Sequence, residues 1–445
     1  MSRWTPCKRA DFFRRLAKLA WSALAVPIVL VSAAFGQQPP DPAESIMRAR
    51  EILAERARHL PDYTCSQSTD RRYFTPRKKG NALSCDQIRT LGSQDLVLER
   101  TDRLRLDIKV SRGVEIGSWR GSEFTAKDIF DLVGAGPYGT GTLGAIIWNV
   151  FVSEGASYKY LGEETAAGRR VLSYGYEVPV SASHYNLKSG AHWVATAFFG
   201  NFLLDAESFE LARLTEQATE LPPDSGACEA DTEVDYQKVQ VGGGEFLLPK
   251  KSVMRQVMQD ESEVQSTAVY SGCRAYSTES TIHFEDLPAA EQTKTAEPPQ
   301  AVPAGLPFTI VLAEPIDADS AAAGDIVKCK LAKALREPHA KAMLAPVGAI
   351  VEARIVQMEH WLIPAQLFRI SLMLEKLETD GAVRPLYASP FRHSTIHVAS
   401  GPVNVVLPPV GQSPHAAAFI FPADKSGYVV RPGHASEWVT VAPPR

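Results

Sequence analysis

Histidine, carboxylate and hydroxyl groups are where chemistry would be sought first, and in this chain their spacing mostly withholds it. His184 and His192 flank SASHYNLKSGAHW, which reads as a hairpin that could bring two imidazoles face to face. His393 and His397 share one face of a strand or a helix. Zinc needs three or four ligands with hydrogen bonds supporting them, and neither pair has a third ligand fixed by spacing. Both pairs therefore read as surface or loop histidines, and no metal is expected. Ser183, His184 and Asp205 could be named as a triad, but a nucleophile needs a defined turn and an oxyanion pocket, which no segment announces. Asp128 and Asp131 could pair as a glycosidase dyad, although three-residue spacing on a helix marks a solvated face. No Walker loop, Gly-x-Ser-x-Gly, His-Glu-x-x-His or Cys-x-x-Cys occurs. No catalytic residue and no cofactor is expected.

The cysteines carry more information once the compartment is read. Residues 1–36 hold six basic groups and one acid, then an apolar run from Leu19 to Phe35, then Ala34-Phe35-Gly36, the order of a cleavable export signal. An amino-terminal anchor is the alternative, with Pro27 interrupting a run barely long enough to span. Export places the chain in the periplasm or on the outer envelope, where oxidising conditions favour disulfides. Cys65, Cys85, Cys228 and Cys273 are the expected participants, and proximity in sequence pairs Cys65 with Cys85 and Cys228 with Cys273. Cys329, in the alternating run IVKCKL, reads as a buried thiol on a strand.

An apolar cluster offers the one candidate binding site: Trp119, Phe124, Phe130, Tyr138, Ile146, Ile147, Trp148 and Phe151, spread around a glycine-rich insert at 125–153. A mobile insert over a concave apolar face would make a ligand-binding mouth. The apolar stretch 145–147 would suit an acyl chain, held by area burial at about 25 cal/mol per Å². The alternative is that these side chains simply close the core.

The elements that must position this cluster are mostly strands. Residues 42–59 have helical periodicity, with Ile46, Ile52, Leu53 and Ala57 along one side and Pro61 as a stop. Alternation then predicts strands over 63–74, 95–109, 113–120, 156–161, 169–179, 192–205, 209–218, 231–241, 245–257, 263–271 and 280–285, with Gly242-Gly243-Gly244 as a hairpin turn. Residues 287–304, rich in Pro and Ala, read as an extended linker that lets the parts on either side move independently. Beyond it, Phe308, Ile310 and Leu312, then Val327, Cys329 and Leu331, then Phe368, Ile370, Leu372 and Leu374 alternate. The expected fold is mainly β: a large curved antiparallel sheet at 43–286 with an opening helix and a helical insert, then a smaller barrel-like domain at 305–445 with an irregular tail.

Two resemblances accompany this reading. The opening helix, LPDYTC at 60–65 and EVDYQKVQVGGGEFLLPKKSVMRQV at 233–257 resemble an uncharacterised family of exported bacterial proteins. The element order resembles the lipoprotein-carrier half-barrels, which implies an incomplete antiparallel barrel with helices across its open mouth. PAGLPFTIVLAEPID at 303–317, AGDIVKCKL at 323–331 and APVGAIVEARI at 345–355 resemble a small periplasmic β-barrel module of conjugative secretion components. These motifs report fold more than chemistry.

Charge narrows the partners. Without the leader the chain has 41 basic and 50 acidic groups, a net charge of −9, which argues against a nucleic-acid partner. The expected function is non-enzymatic: an exported envelope protein binding a lipid or lipidated protein in its first domain, with an envelope protein partner docked through the carboxy-terminal domain. The alternatives are a scaffolding role without a small ligand, and a hydrolase of unknown specificity.

Overall fold

The structure, a computed structural model, describes residues 41–78, 83–92, 95–111, 114–125, 129–134, 144–189, 192–276, 301–337, 342–379, 382–391, 396–397, 415–422 and 429–443. The leader at 1–36, Tyr138, the strand expected at 280–285 and linker residues 287–300 lie outside these. Asp41–Arg445 forms one compact unit, and its fold is mainly β.

Helix α1 (Pro42–His59) begins where Asp41 accepts from the Ala43 amide and Pro42 fixes the first turn. Glu44 at its start, with Arg56, Arg58 and His59 at its end, complements the helix dipole. Its buried stripe is Ser45, Ala49 and Leu53, one step round from the predicted isoleucines. Small residues there let the helix backbone come close to the sheet it crosses.

Strands β1 (Tyr63–Pro76), β2 (Leu96–Ser111) and β3 (Val114–Trp119) start that sheet. After the insert come β4 (Ser157–Ala166), β5 (Arg169–Val178), the hairpin β6 (Asn186–Ser189) and β7 (His192–Ala195), β8 (Phe198–Asp205), β9 (Leu211–Ala218), β10 (Ala227–Val241), β11 (Gly244–Met258) and β12 (Glu263–Ala275). The spatial order is β3-β2-β1-β12-β11-β10-β9-β8-β5-β4, antiparallel throughout. Gly242 and Gly243 both adopt positive φ in the β10–β11 turn, a conformation that costs glycine little. The segment expected as one strand over 192–205 is two, because Trp193 and Val194 join the β6–β7 hairpin and leave the main sheet.

The disulfide pairing inferred from sequence proximity is corrected. Cys65 bonds Cys273, and Cys85 bonds Cys228. The sheet order supplies the reason. Strand β1 lies beside β12 although some 200 residues separate them, so Cys65 meets Cys273 across neighbouring strands. Helix α2 (Cys85–Leu91), inside the β1–β2 connection, packs at the end of the sheet where β10 begins. Ile88 and Val257 bury the Cys85–Cys228 bond there. Cys329 is a buried free thiol on a strand, as expected, and burial pushes its pKa up to about 12.

In the second half, strand Pro307–Leu312 pairs with Ile326–Leu331 and with Ala435–Thr440. Ile350–Trp361 pairs with Ile326–Leu331 and Leu367–Thr379, and the latter pairs with Ala416–Pro422. Inward residues such as Ile310, Cys329, Val351, Leu372 and the fully buried Trp438 fill this core.

The two halves share backbone ladder. Glu359, His360 and Trp361 pair with Asp102, Thr101 and Arg100 of β2. The Arg105 amide donates to the Ala323 carbonyl at 2.7 Å, and the Ala323 amide to Arg103 at 2.9 Å. Gly324 sits here with φ +106°, and a β-carbon on it would lie 2.0 Å from the Arg105 carbonyl oxygen. Only glycine admits this approach. The independent motion expected from the linker's composition would have to break this ladder.

Candidate functional site

The described members of the predicted cluster divide between two apolar layers on the inner face of the sheet. Ile146, Ile147 and Phe151, from helix α4 (Ala145–Ile147) and the π-helical turn that continues it to Val152, join α1 over β5, β8, β9 and β10. Phe151 meets Phe202 edge to face at 4.9 Å, and Tyr174 stacks on Phe202 at 5.2 Å. Trp119 instead joins Leu104, Leu106, Ile108 and Tyr270 in a second layer, covered by Ile129 and Val133 of helix α3 (Ile129–Val133). Phe124 is half-buried and edge-on to Tyr276. Phe130 lies in α3, but its side chain is outside the described set. Trp148 is 48% exposed and points away from the core.

These covers are held at several points along their length. The Tyr174 hydroxyl donates to the Pro42 carbonyl, the Arg50 guanidinium to the Phe151 carbonyl at 3.0 Å, and Arg56 pairs with Glu210 at 2.5 Å. These contacts fix α1 and the π-helical turn to each other and to the sheet edge.

Alongside the two apolar layers, one inward step beyond Leu214, Val234, Ala268 and Leu104, runs a polar row that sequence reading missed. Directly opposed residues on successive strands are Glu216 (β9), Thr232 (β10), Met254 (β11), Ser266 (β12), Arg71 (β1) and Asp102 (β2). The row continues into the second half through Glu359 and Arg369. Opposed residues of antiparallel strands share a face, so the row is one line of neighbours across the sheet. Arg71 grips Asp102 with two bonds of 2.7 and 2.8 Å, and the Tyr73 hydroxyl adds a third at 3.0 Å. Arg100 reaches Glu359 at 3.3 Å, Arg369 reaches it at 2.6 Å, and the Trp361 indole donates to it at 2.7 Å. Burial opposes the Arg71 charge, but Asp102, Tyr73 and Glu359 together more than offset that and raise its pKa.

The row's other end is unpaired. Both carboxylate oxygens of Glu216, the Ser266 hydroxyl, the Tyr236 hydroxyl and Nη1 of Arg71 are buried without a hydrogen-bond partner. Burial alone lifts the Glu216 carboxyl to about 8, so at neutral pH it is largely protonated. Tyr176, Tyr185 and Tyr236 around it are raised well above the ordinary phenol range, chiefly by burial. A buried polar atom left unmet costs about 1–3 kcal/mol. The alternation in β9 and β12 could have revealed these positions, because Glu216 and Ser266 fall in phase with inward Leu214 and Ala268.

Other candidates carry less. The β6–β7 hairpin forms, but Ser189 opposes His192 at its turn and His184 precedes β6, so the two imidazoles do not face each other. A cleft of about 290 Å³ at the junction has walls that satisfy each other, with Arg103 bonded to Asp70 and to the Asp319 carbonyl. Among the described residues no cluster of three or more His, Cys, Asp or Glu could hold a metal, and no helix is long and apolar enough to cross a membrane.

No family model and no curated protein matches this chain. Solved structures that align with it include the following three. A domain assigned to outer membrane lipoprotein sorting from Vibrio parahaemolyticus is 11% identical with TM-score 0.25, over 53% of this chain and 93% of its own. A DUF1329 family protein from Desulfovibrio piger is 10% identical with TM-score 0.27, over 55% and 96%. A LolA superfamily protein from Nitrosomonas europaea is 9% identical with TM-score 0.23, over 53% and 94%. At these identities and TM-scores the likenesses carry no argument.

Proposed function

We propose that this chain is an exported envelope protein that binds a lipid or a lipidated protein on the inner face of its first half, without catalysing a reaction. One observation carries the proposal: an aromatic inner face closed by α1 and by the turn at 145–152, two covers tied to each other and to the sheet by side-chain hydrogen bonds and not by strand pairing. Covers anchored in this way can lift without dismantling the strand ladder. Apolar area released from Phe151, Phe202 and Tyr174 would be re-covered by an acyl chain, at about 25 cal/mol per Å². The second half, 305–445, would be the part that docks to another envelope protein, with 287–304 as the connection.

Lipid extracted from natively purified protein and quantified by mass spectrometry tests this. A carrier retains one lipid class at a defined ratio to protein. Protein that emerges lipid-free, and takes up no nonpolar fluorescent probe, overturns the proposal. A scaffolding role without ligand is the second reading, and it is supported by the strand pairing and the Arg100–Glu359 ion pair that tie the two halves together.

A further inference from the structure

The cleft at the junction has paired walls but an unpaired floor. Arg72, Thr101 and His360 are directly opposed residues on three neighbouring strands, β1, β2 and Ile350–Trp361, and Phe368 opposes His360 from the next strand. Opposed residues share a face, with β-carbons about 5 Å apart. All four border the same cavity of about 290 Å³. They alternate with Arg71 and Asp102, so the cleft lies on the other side of the sheet from the polar row and the apolar layers.

Each floor residue brings a different group. The Arg72 guanidinium lies over the Phe74 ring at 5.2 Å and meets no carboxylate among the described residues. Asp70, which also borders the cavity, is taken by Arg103 at 2.6 Å. The Thr101 hydroxyl and the His360 ring nitrogens make no hydrogen bond among the described residues. The imidazole is held flat against Phe368, with ring centroids 4.4 Å apart and planes 24° from parallel. Because His360 stands between Phe368 and Thr101 in the row, its uncovered face is turned to the Thr101 side. Burial lowers its pKa against the opposing pull of Asp319, so the ring is neutral at pH 7. Charge in the cleft is thus divided: an unpaired cation at the Arg72 end, and the Asp319 acid beside a neutral ring at the other.

The overhanging wall is fixed in place. Arg103 donates to the Asp319 carbonyl, Arg105 to the Ser320 carbonyl, and the Ala321 amide to the Asp317 carbonyl at 2.8 Å. Filling a cavity whose walls are already held costs little ordering entropy.

We propose that this cleft binds a small aromatic carboxylate, its ring on the uncovered face of His360 and its carboxylate on the Arg72 guanidinium and the Thr101 hydroxyl. One strand spacing, about 5 Å, separates the ring platform from the hydroxyl, a span that a carboxylate attached directly to one or two fused rings covers. Arg72 and Thr101 belong to the first half and His360 and Phe368 to the second, so the ligand bridges the junction. The site is independent of lipid binding on the inner face.

The test is titration calorimetry on the full chain at pH 7 with three probes: 2-naphthoate, its methyl ester, which keeps the rings and loses the charge, and cyclohexanecarboxylate, which keeps the charge and loses the aromatic ring. Naphthoate should bind about tenfold or more tightly than either. Arg72→Gln should weaken naphthoate about tenfold and Thr101→Val about fivefold, each leaving the ester unchanged. Neither side chain holds an ion pair or a described hydrogen bond, so both variants should keep the parent's melting temperature. Naphthoate that binds no more tightly than its ester or the saturated acid, that binds both variants as it binds the parent, or that fails to bind, overturns the proposal.

Discussion

Replacing Glu216 by Gln isolates the electrostatics of the polar row, because the amide keeps the shape and removes the titration. In the folded chain burial holds this carboxyl near pKa 8, against 4.5 in the unfolded chain. Between those values the folded protein keeps a proton that the unfolded chain releases. The wild type must therefore lose stability as pH rises from about 4.5 to about 8, at up to about 1.4 kcal/mol per pH unit, and level off above that range. Glutamine loses nothing there. The variant should match the wild type near pH 4.5–5 and exceed it by roughly 2–5 kcal/mol at pH 8. Urea unfolding followed by circular dichroism at pH 5, 6, 7 and 8 supplies the difference curve. Other titrating groups, such as Asp231 with its raised pKa and Asp205 with its lowered one, are common to both proteins and cancel. A difference that does not change with pH would mean Glu216 is ionised and paired in the folded state.

Three further outcomes follow from the same geometry. Arg369→Leu leaves Glu359 buried with only Arg100, Gln357 and the Trp361 indole, and should cost about 3–5 kcal/mol, whereas adding Glu359→Gln should recover much of that loss in the same urea titration. Gly324→Ala forces a β-carbon against the Arg105 carbonyl, so hydrogen exchange should rise at the amides of Arg105 and Ala323 before it rises in β10 and β11. Non-reducing peptide mapping should link Cys65 to Cys273 and Cys85 to Cys228, and Cys85→Ser/Cys228→Ser should destabilise the fold by about 3–5 kcal/mol, since the bond closes a sequence separation of 143.

Local pattern made much of this fold legible. Asp41-Pro42 and Pro61 bounded α1, and alternation located nearly every long strand, because one face of an antiparallel sheet is buried and the other is not. What escaped was whatever depends on which strands become neighbours. Cys65 faces Cys273 only because β12 returns to β1, and no local spacing encodes that return. The same holds for the site. The aromatic cluster around the insert was visible as composition, but its division between Trp119 in one layer and Phe151 in the other depends on which strands α3 and α4 come to cover. Glu216 was hidden differently. An acid flanked by Thr215 and Gln217 looks like ordinary strand surface unless its phase with Leu214 and Ala218 is counted.

The junction bears on what kind of machine this is. A carrier built as two independent domains would capture with one and dock with the other, and nothing would pass between them. Here the row that ends at Glu216 in one half ends at Arg369 in the other, and every step between Ser266 and Arg369 is a pair of directly opposed residues. Of those steps, three carry ions: Arg71 with Asp102, Asp102 beside Arg100 and Glu359, and Glu359 with Arg369. Asp102 pairs with Arg71 inside the first half and faces Glu359 across the seam, so a substitution at Arg71 should loosen the seam as well as its own strand pair.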